Sequence, residues 1–354
     1  MHNLDMKFEK PQLKDIWVML GQSCDHRCEN CFGATESGID NDPDNLTEGQ
    51  ILAVINEAIG LGINEVGIPG AGEPFHPRNI KTLFKIIDNN AGKGVHTSVF
   101  THLGFFDEAL VKRLDRYGDK ITLLAKFNSF KPPVQDSFDN AGGYTKKRDA
   151  ALKILFNHNF NDGKRLGFVT SIMTVNYPEI PEIFRYCRKN SIIVDIDNML
   201  PRGRGKDSPY APGDEKLRKM YARLSAIDRK EFGNSWLPSC GYVGKNACNR
   251  YFHHLFIDKN GDTHPCIGSV NVLLGNAKKN SLKEMWDSRE MGIIKAREYD
   301  GKCLECELFV EGKCNSCLGR YTERLNNRDL LKTGKVHTTG CWCFKEKQET
   351  AGHI

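Results

Sequence analysis

The chain holds no apolar run long enough to span a membrane, which excludes a helical integral membrane protein. Its opening residues, MHNLDMKFEKPQLKD, lack a signal-peptide core, so export is not expected and the cytoplasm is the expected compartment. Internal repeats and low-complexity segments are absent, which excludes solenoids and disordered arrays. Little excess of either charge is present: 50 Lys and Arg against 45 Asp and Glu leave a net +5, compatible with an acidic partner but not demanding one. The C-terminal part lacks dense Lys/Arg interleaved with aromatic residues, so no nucleic-acid partner is expected. Cysteine is nearly missing from the middle: of 13 in all, only Cys187 lies between Cys31 and Cys240. In a reducing compartment the remainder favour metal ligation over disulfides.

What is present fits a folded chain of one large and one smaller unit. Of 354 residues, 39% are hydrophobic and 27% charged. The cysteine distribution suggests a body over residues 1–200, a Gly-, Pro- and Arg-rich link over 201–239 beginning PRGRGKDSPYAPGD, and a cysteine-dense tail over 240–354. Strand-like segments at 16–23, 63–70, 95–101, 121–127, 166–174 and 192–197 alternate with helical periodicity at 45–62, 78–90, 107–116, 145–158 and 179–190. Thr47 and Gln50 have capping-box spacing at the first of these helices. About six β/α units imply an α/β fold with a parallel sheet, either doubly wound or an incomplete barrel.

Chemistry in such folds gathers at the C-terminal ends of the strands. The first strand runs into CDHRCENC, with Cys24, Cys28 and Cys31 at C-x3-C-x2-C spacing. A closed zinc site takes four ligands, so the triplet stops one short. The second strand runs into GIPGAGEPFHP, where Gly70 and Gly72 allow close approach to the backbone and Glu73 adds a carboxylate. In the tail, HLFIDKNGDTHPC reads as a hairpin turning at Asn260-Gly261. Its DKNGD lacks the downstream glutamate of a calcium-binding EF-hand. Cys303-x2-Cys306-x7-Cys314-x2-Cys317 on its own reads as a four-thiolate zinc knuckle.

Taken together, the triplet and the Gly70-Ala71-Gly72-Glu73-Pro74 segment resemble the radical S-adenosylmethionine (SAM) superfamily over roughly residues 15–200. That resemblance implies a partial (β/α)6 TIM-like barrel. It implies a [4Fe–4S] cluster held by Cys24, Cys28 and Cys31, whose open iron binds SAM. One electron, from a reductant such as a flavodoxin or ferredoxin, then yields a 5′-deoxyadenosyl radical that abstracts hydrogen from substrate. Gly70, Gly72 and Glu73 would hold the methionyl amino group, with Asn128, Ser129 and Asn176 as further cofactor candidates. Two departures stand out: Asn30 replaces an aromatic residue before the third cysteine, and KFNS puts Lys126 where the family often has serine. Lys126 is a candidate to meet a carboxylate of cofactor or substrate. Cys187 is a candidate hydrogen-atom donor or a plain core thiol.

The tail spacing resembles the SPASM extension, which implies two auxiliary [4Fe–4S] clusters. Kept residue by residue, Cys240, Cys248, Cys266 and Cys317 would hold the first. Cys303, Cys306 and Cys314 would hold the second, completed by Cys341 in preference to Cys343. Relatives that oxidise a peptide side chain carry Asp directly after the third ligand; here Cys266 is followed by Ile267, with Asp258, Asp262 and His264 nearby. The 23 residues ahead of Cys24 are too few for a separate peptide-binding domain. The expected reaction is therefore oxidation or epimerisation of a small polar molecule (a sugar, cyclitol or nucleoside). Modification of a ribosomally made peptide is the alternative, and a zinc-knuckle nucleic-acid-binding protein the reading of another class.

Overall fold

The computed structural model describes residues 11–200, 202–206, 208–238, 248, 250–311, 314–319 and 325–338. Expectations placed on Cys240, Cys341 and Cys343 lie outside them. Six strands come in chain order: β1 (Asp15–Val18), β2 (Glu65–Ile68), β3 (His96–Thr101), β4 (Ile121–Lys126), β5 (Leu166–Ile172) and β6 (Ile193–Asn198). Each pairs in parallel with the next, as sequential crossovers require. Helices α1 (Glu48–Gly60), α2 (Ile80–Gly92), α3 (Glu108–Asp115), α4 (Pro132–Asp139), α5 (Tyr144–Asn157) and α6 (Ile180–Lys189) connect them. This is an α/β fold of partial (β/α)6 barrel type. The expected capping box at α1 is formed: Gln50 N donates to Thr47 Oγ1 at 3.3 Å, and Thr47 N donates to Gln50 Oε1 at 2.9 Å.

The outer side chains of β1, Ile16 and Val18, are fully buried in the main core with Val54 and Ile55 of α1 and Val66 and Ile68 of β2. The alternate residue, Trp17, faces the concave side, where its ring lies 5.2 Å from that of Phe100 on β3. Strand alternation thus separates a sealed outer core from an inner wall open to a substrate.

Two features were not foreseen from sequence. The segment expected as a link contains a long helix, α7 (Asp214–Phe232), fastened to α6 by Arg188–Asp228 at 2.7 Å and Arg185–Glu231 at 2.6 Å. The tail hairpin forms as expected, from β7 (His254–Ile257) and β8 (Asp262–His264), but it is part of the barrel sheet. β7 pairs in parallel with β1, so the strand order is β6-β5-β4-β3-β2-β1-β7-β8-β9, with β9 at Gly275–Asn276. The physical reason lies at Asp15. Its carboxylate accepts from His253 Nδ1 at 2.7 Å and contacts His254, locking β1 to the tail. Beyond the sheet, α8 (Leu282–Trp286), α9 (Arg289–Lys295), β10 (Tyr299–Gly301), α10 (Glu307–Val310), α11 (Asn327–Thr333) and β11 (Val336–Thr338) complete the described tail.

Candidate active site

The loop leaving β1 carries Cys24, Cys28 and Cys31. It is closed by a bridge in which Cys24 and Gly38 exchange backbone hydrogen bonds of 3.0 and 2.7 Å. It rests on the end of α4: Glu29 N donates to Phe138 O at 3.0 Å, and Asn140 Nδ2 donates to Arg27 O at 2.9 Å. Each sulfur has a donor aimed at it. His26 N lies 3.4 Å from Cys24 Sγ, Thr35 N lies 3.3 Å from Cys31 Sγ, and the Lys126 ammonium lies beside Cys28. Burial pushes the Cys28 thiol up to about 12, with Lys126 pulling the other way. A coordinating metal ion removes such a proton outright. Three thiols on one loop, each met by a donor that favours thiolate, suit an iron–sulfur cluster.

Lys126 meets a carboxylate of this chain. It pairs with Asp139, fully buried at the end of α4, which also accepts from Gln135 Nε2 at 2.6 Å. Burial disfavours the ammonium, but Asp139 and Cys28 outweigh it and hold its pKa above the usual lysine range.

The turn after β2 is built by Glu73, although not as a free carboxylate. Its side chain, 2% exposed, accepts from Phe75 N at 3.0 Å, Thr101 Oγ1 at 2.7 Å and His102 N at 2.8 Å. Its main-chain carbonyl accepts from Asn79 Nδ2 at 2.9 Å. Glu73 therefore shapes the turn, while the carbonyls of residues 70–72 make no hydrogen bond among the described residues. Gly72 has φ +94°, and a Cβ there would stand 2.7 Å from Gln22 Cα, so the turn lies directly against the cysteine loop. Unpartnered carbonyls on a turn held against three thiols are acceptors suited to an ammonium group.

The other cofactor candidates form one buried network. Ser129 Oγ donates to Glu179 at 2.8 Å. Asn176 Oδ1 accepts from Met173 N at 2.8 Å, and its Nδ2 donates to Asn128 O at 2.8 Å and Ser171 O at 2.9 Å. Those two residues brace the ends of β4 and β5. Asn128 differs: its Oδ1 accepts from Ser171 N at 2.9 Å, but its buried Nδ2 has no partner. Ser171 Oγ in turn accepts from Asn30 Nδ2 at 3.1 Å, so the non-aromatic residue before Cys31 is tied to β5. Cys187 sits fully buried in the main core on α6, its pKa pushed up to about 12 by burial.

Sequence reasoning missed two groups. Asp25, His26 and His102 join Glu73 around Cys24. His102 Nε2 lies 2.9 Å from Asp25 and 3.3 Å from Glu73, and its ring stacks on His26 at 4.0 Å. Burial opposes charge on His102, whereas Glu73 and Asp25 raise its pKa. Gly104 N donates to His102 Nδ1 at 2.9 Å, which leaves Nε2 to face the carboxylates and works against a second ring proton on Nδ1. Burial and then His102 depress His26 to about 3. The signal was available, since Asp25 and His26 lie inside the cysteine motif itself.

The second missed group is Arg204. Its Nε donates to Cys28 O at 2.8 Å, its Nη2 to Thr35 O at 2.5 Å and its Nη1 to Glu36 at 3.0 Å. Gly203, at φ +57°, leaves room for this grip: a Cβ would fall 2.4 Å from Cys31 O. PRGRGK, read from sequence as part of a link, is thus a clasp on the cysteine loop, because a guanidinium fork matches backbone carbonyls left unpaired by an irregular loop.

In the tail, Cys266 N donates to Ser269 Oγ at 3.0 Å; Cys266 is raised in pKa by burial, and Cys248 acts on it in the same direction. Cys303 Sγ lies 3.4 Å from Ser316 Oγ, and Cys303 and Cys317 both act on the buried Tyr299. Tyr299 OH donates to Tyr251 OH at 3.1 Å, and Tyr251, which Cys248 also reaches, donates to Asn315 O at 2.7 Å. Cys248, Cys303 and Cys317 thus lie by this tyrosine pair, and Cys248 also reaches Cys266. Asp258 is committed to the hairpin turn, accepting from Asn260 N and Asp262 N at 2.9 Å each. His264 is buried, its Nδ1 2.8 Å from Val272 O.

A parallel partial barrel with three thiols at the mouth of its first strand, joined to a thiol-rich tail, defines an iron–sulfur enzyme. Family models make that specific: the radical SAM superfamily model matches residues 18–187 and an iron–sulfur cluster-binding (SPASM) domain model matches residues 248–307. The chain belongs to the radical SAM superfamily and carries a C-terminal SPASM domain. It is accordingly an enzyme whose cofactors are a [4Fe–4S] cluster, auxiliary clusters and SAM. No curated protein matches it. Among solved structures it is similar to Streptococcus suis SuiB bound to S-adenosylmethionine, with 18% identity and a TM-score of 0.67 over 87% of this chain and 73% of that one. SuiB bound to precursor peptide SuiA matches with 18% identity and a TM-score of 0.68 over 87% and 72%. Native anSMEcpe with bound AdoMet and Kp18Cys peptide matches with 14% identity and a TM-score of 0.59, over 96% of this chain and 100% of that one. No helix among the described residues is long and apolar enough to cross a membrane.

Proposed function

We propose that this enzyme modifies a ribosomally made peptide or protein by radical chemistry. The observation that carries the reading is the match to peptide-bound anSMEcpe over the whole of that protein. The preference for a small substrate rested on the short segment ahead of Cys24. A similar chain with no extra length holds a peptide, so that argument loses its force, and SuiB with its precursor peptide supports the same direction. The small polar substrate gives way to the peptide.

Under this reading Cys24, Cys28 and Cys31 hold the cluster, and the open carbonyls of residues 70–72 receive the methionyl ammonium. The unpartnered Asn128 Nδ2 donates to the cofactor, while Ser129 and Asn176 fix its position. Cys240, Cys248, Cys266 and Cys317 hold one auxiliary cluster; Cys303, Cys306 and Cys314 hold the other with Cys341. When bound, the reduced cluster and SAM supply a 5′-deoxyadenosyl radical that takes a hydrogen atom from the substrate. The chain's own task is to place and shield that event. Met19, Ala71, Phe256 and Ile267 form a separate apolar patch with Phe32 and Leu200, drawing the cysteine loop, the glycine turn and the tail onto one wall. Apolar walls exclude water from a reactive intermediate.

The test is anaerobic. The reconstituted enzyme, given dithionite, SAM and peptides encoded beside its gene, should release 5′-deoxyadenosine and change the mass of one peptide. Deuterium at the modified carbon should appear in the deoxyadenosine. Turnover coupled to a sugar or nucleoside, with no peptide altered, would refute the reading.

A further inference from the structure

The concave wall carries two guanidinium groups that form no ion pair with a carboxylate among the described residues. Arg202 leaves the end of β6 and stacks over Phe256 of β7, 5.8 Å from the ring centroid. Arg250 stacks over Trp17 of β1, 4.2 Å from the ring centroid. Trp17 and Phe256 are register partners on adjacent parallel strands, so their side chains share one face. That face is the concave one, because Trp17 reaches across to Phe100. Both arginines are half-buried.

A guanidinium offers five donors. Arg202 uses one, Nη1 donating to Ile267 O at 3.2 Å. The Arg250 side chain donates no hydrogen bond among the described residues. Neither has a carboxylate within ion-pairing distance among the described residues, whereas three other half-buried arginines do: Arg165 with Asp115 at 2.6 Å, Arg188 with Asp228 at 2.7 Å and Arg204 with Glu36 at 3.0 Å. Asp258, which accepts two backbone N–H groups in its turn, and Cys266 act on Arg202 without pairing with it, and Cys266 also feels Arg250. Burying a charge without a partner is costly, and binding surfaces are where such a cost is offset by a ligand.

We propose that Arg202 and Arg250 form a carboxylate-binding site on the concave wall, which takes an acidic side chain of the substrate. The site adjoins the patch holding Ala71 of the glycine turn and Phe32 of the cysteine loop, so an acid bound there lies next to the cofactor region. The proposal rests on the peptide reading for the carrier of the acid, and on the arginines alone for the acid itself.

Two pools of acetylated, amidated heptapeptides test it, one with Glu and one with Gln fixed at the centre and neither with any other acid. Retention by the reconstituted full chain with SAM is read by mass spectrometry, with N-acetylglutamate as a third probe. The Glu pool should be retained at least about tenfold better, the strength of one charge-assisted pair. Arg202→Gln and Arg250→Gln should each erase the preference, and Arg202→Lys should restore part of it. Iron and sulfide content should stay unchanged in all three variants. Equal retention of both pools would overturn the site and leave the peptide reading standing. N-acetylglutamate binding that needs Arg202, with neither peptide pool retained, would uphold the site and sink the peptide reading. Loss of iron in the variants would assign the arginines to the auxiliary cluster, and an equal loss of SAM affinity would assign the carboxylate to the cofactor; either overturns the proposal, as does failure of every probe to bind.

Discussion

Removing the Arg204 clasp should free the cysteine loop without unfolding the barrel. Arg204→Ala deletes two hydrogen bonds to main-chain carbonyls, Cys28 O at 2.8 Å and Thr35 O at 2.5 Å, made by a side chain only 15% exposed. Each charge-assisted bond contributes about 1.5 kcal/mol at the low end of its range. The third arm, to Glu36, adds little because that carboxylate is 65% exposed and water screens it. The sum of roughly 3 kcal/mol is a factor of about 100 in how often the loop opens. The assay is anaerobic iron loss to a chelator, followed by the fall of the SAM-sensitive paramagnetic signal. Loss should be about 100-fold faster in Arg204→Ala than in the parent. Arg204→Lys keeps the charge but cannot reach three acceptors at once, so it should lie between. The Arg204 N to Cys31 O bond, 3.0 Å, survives all substitutions and sets the residual protection. Parental iron-loss rates in Arg204→Ala would refute the clasp.

Other outcomes follow from the same geometry. Gly72→Ala puts a methyl 2.7 Å from Gln22 Cα at φ +94°, where backbone must move; a loss of about 2–4 kcal/mol in chemical denaturation is expected, together with weaker SAM binding. Cys24→Ala, Cys28→Ala or Cys31→Ala should each abolish 5′-deoxyadenosine while leaving tail iron in place, as chromatography and iron assays would show. Lys126→Met leaves the fully buried Asp139 unpaired and should cost about 3–5 kcal/mol, whereas Lys126→Met with Asp139→Leu should recover most of it in a melting series. Stability should also fall on acidification. His254 is buried and its pKa is lowered, chiefly by burial, so only the unfolded chain gains its proton as pH drops below 6.5. Asp15, also depressed, loses its contribution as pH falls below 3.8. Melting temperature against pH should show both limbs, and Asp15→Asn should remove the lower one.

Much of the fold could be read from period and punctuation. The run from Leu166 to Ile172 announces a buried strand, and Thr47 with Gln50 marks the start of α1. The cysteine loop and the glycine turn were likewise readable, because ligand spacing and glycine are local signals. The role of Glu73 was less so. Its type suggests a free carboxylate, but its partners Phe75, Thr101 and His102 include two on the far side of α2, which no local pattern reveals. The same holds for Arg204, separated from Cys28 by 176 positions, and for Asp15, separated from His254 by 239. Charged side chains that find long-range partners look, in sequence, like those facing solvent.

The parallel pairing of β7 with β1 has a bearing on biosynthesis. β1 is among the first strands to leave the ribosome, yet one of its two neighbours arrives some 240 residues later. Pairings this distant in sequence form late and slowly. Until then β1 is an open edge, and the loop that it launches, with all three cysteines, lacks its final support. Arg204, too, is translated long after the thiols that it fastens. The cysteine loop therefore gains the full support seen here only once Arg204 and the tail hairpin have been made.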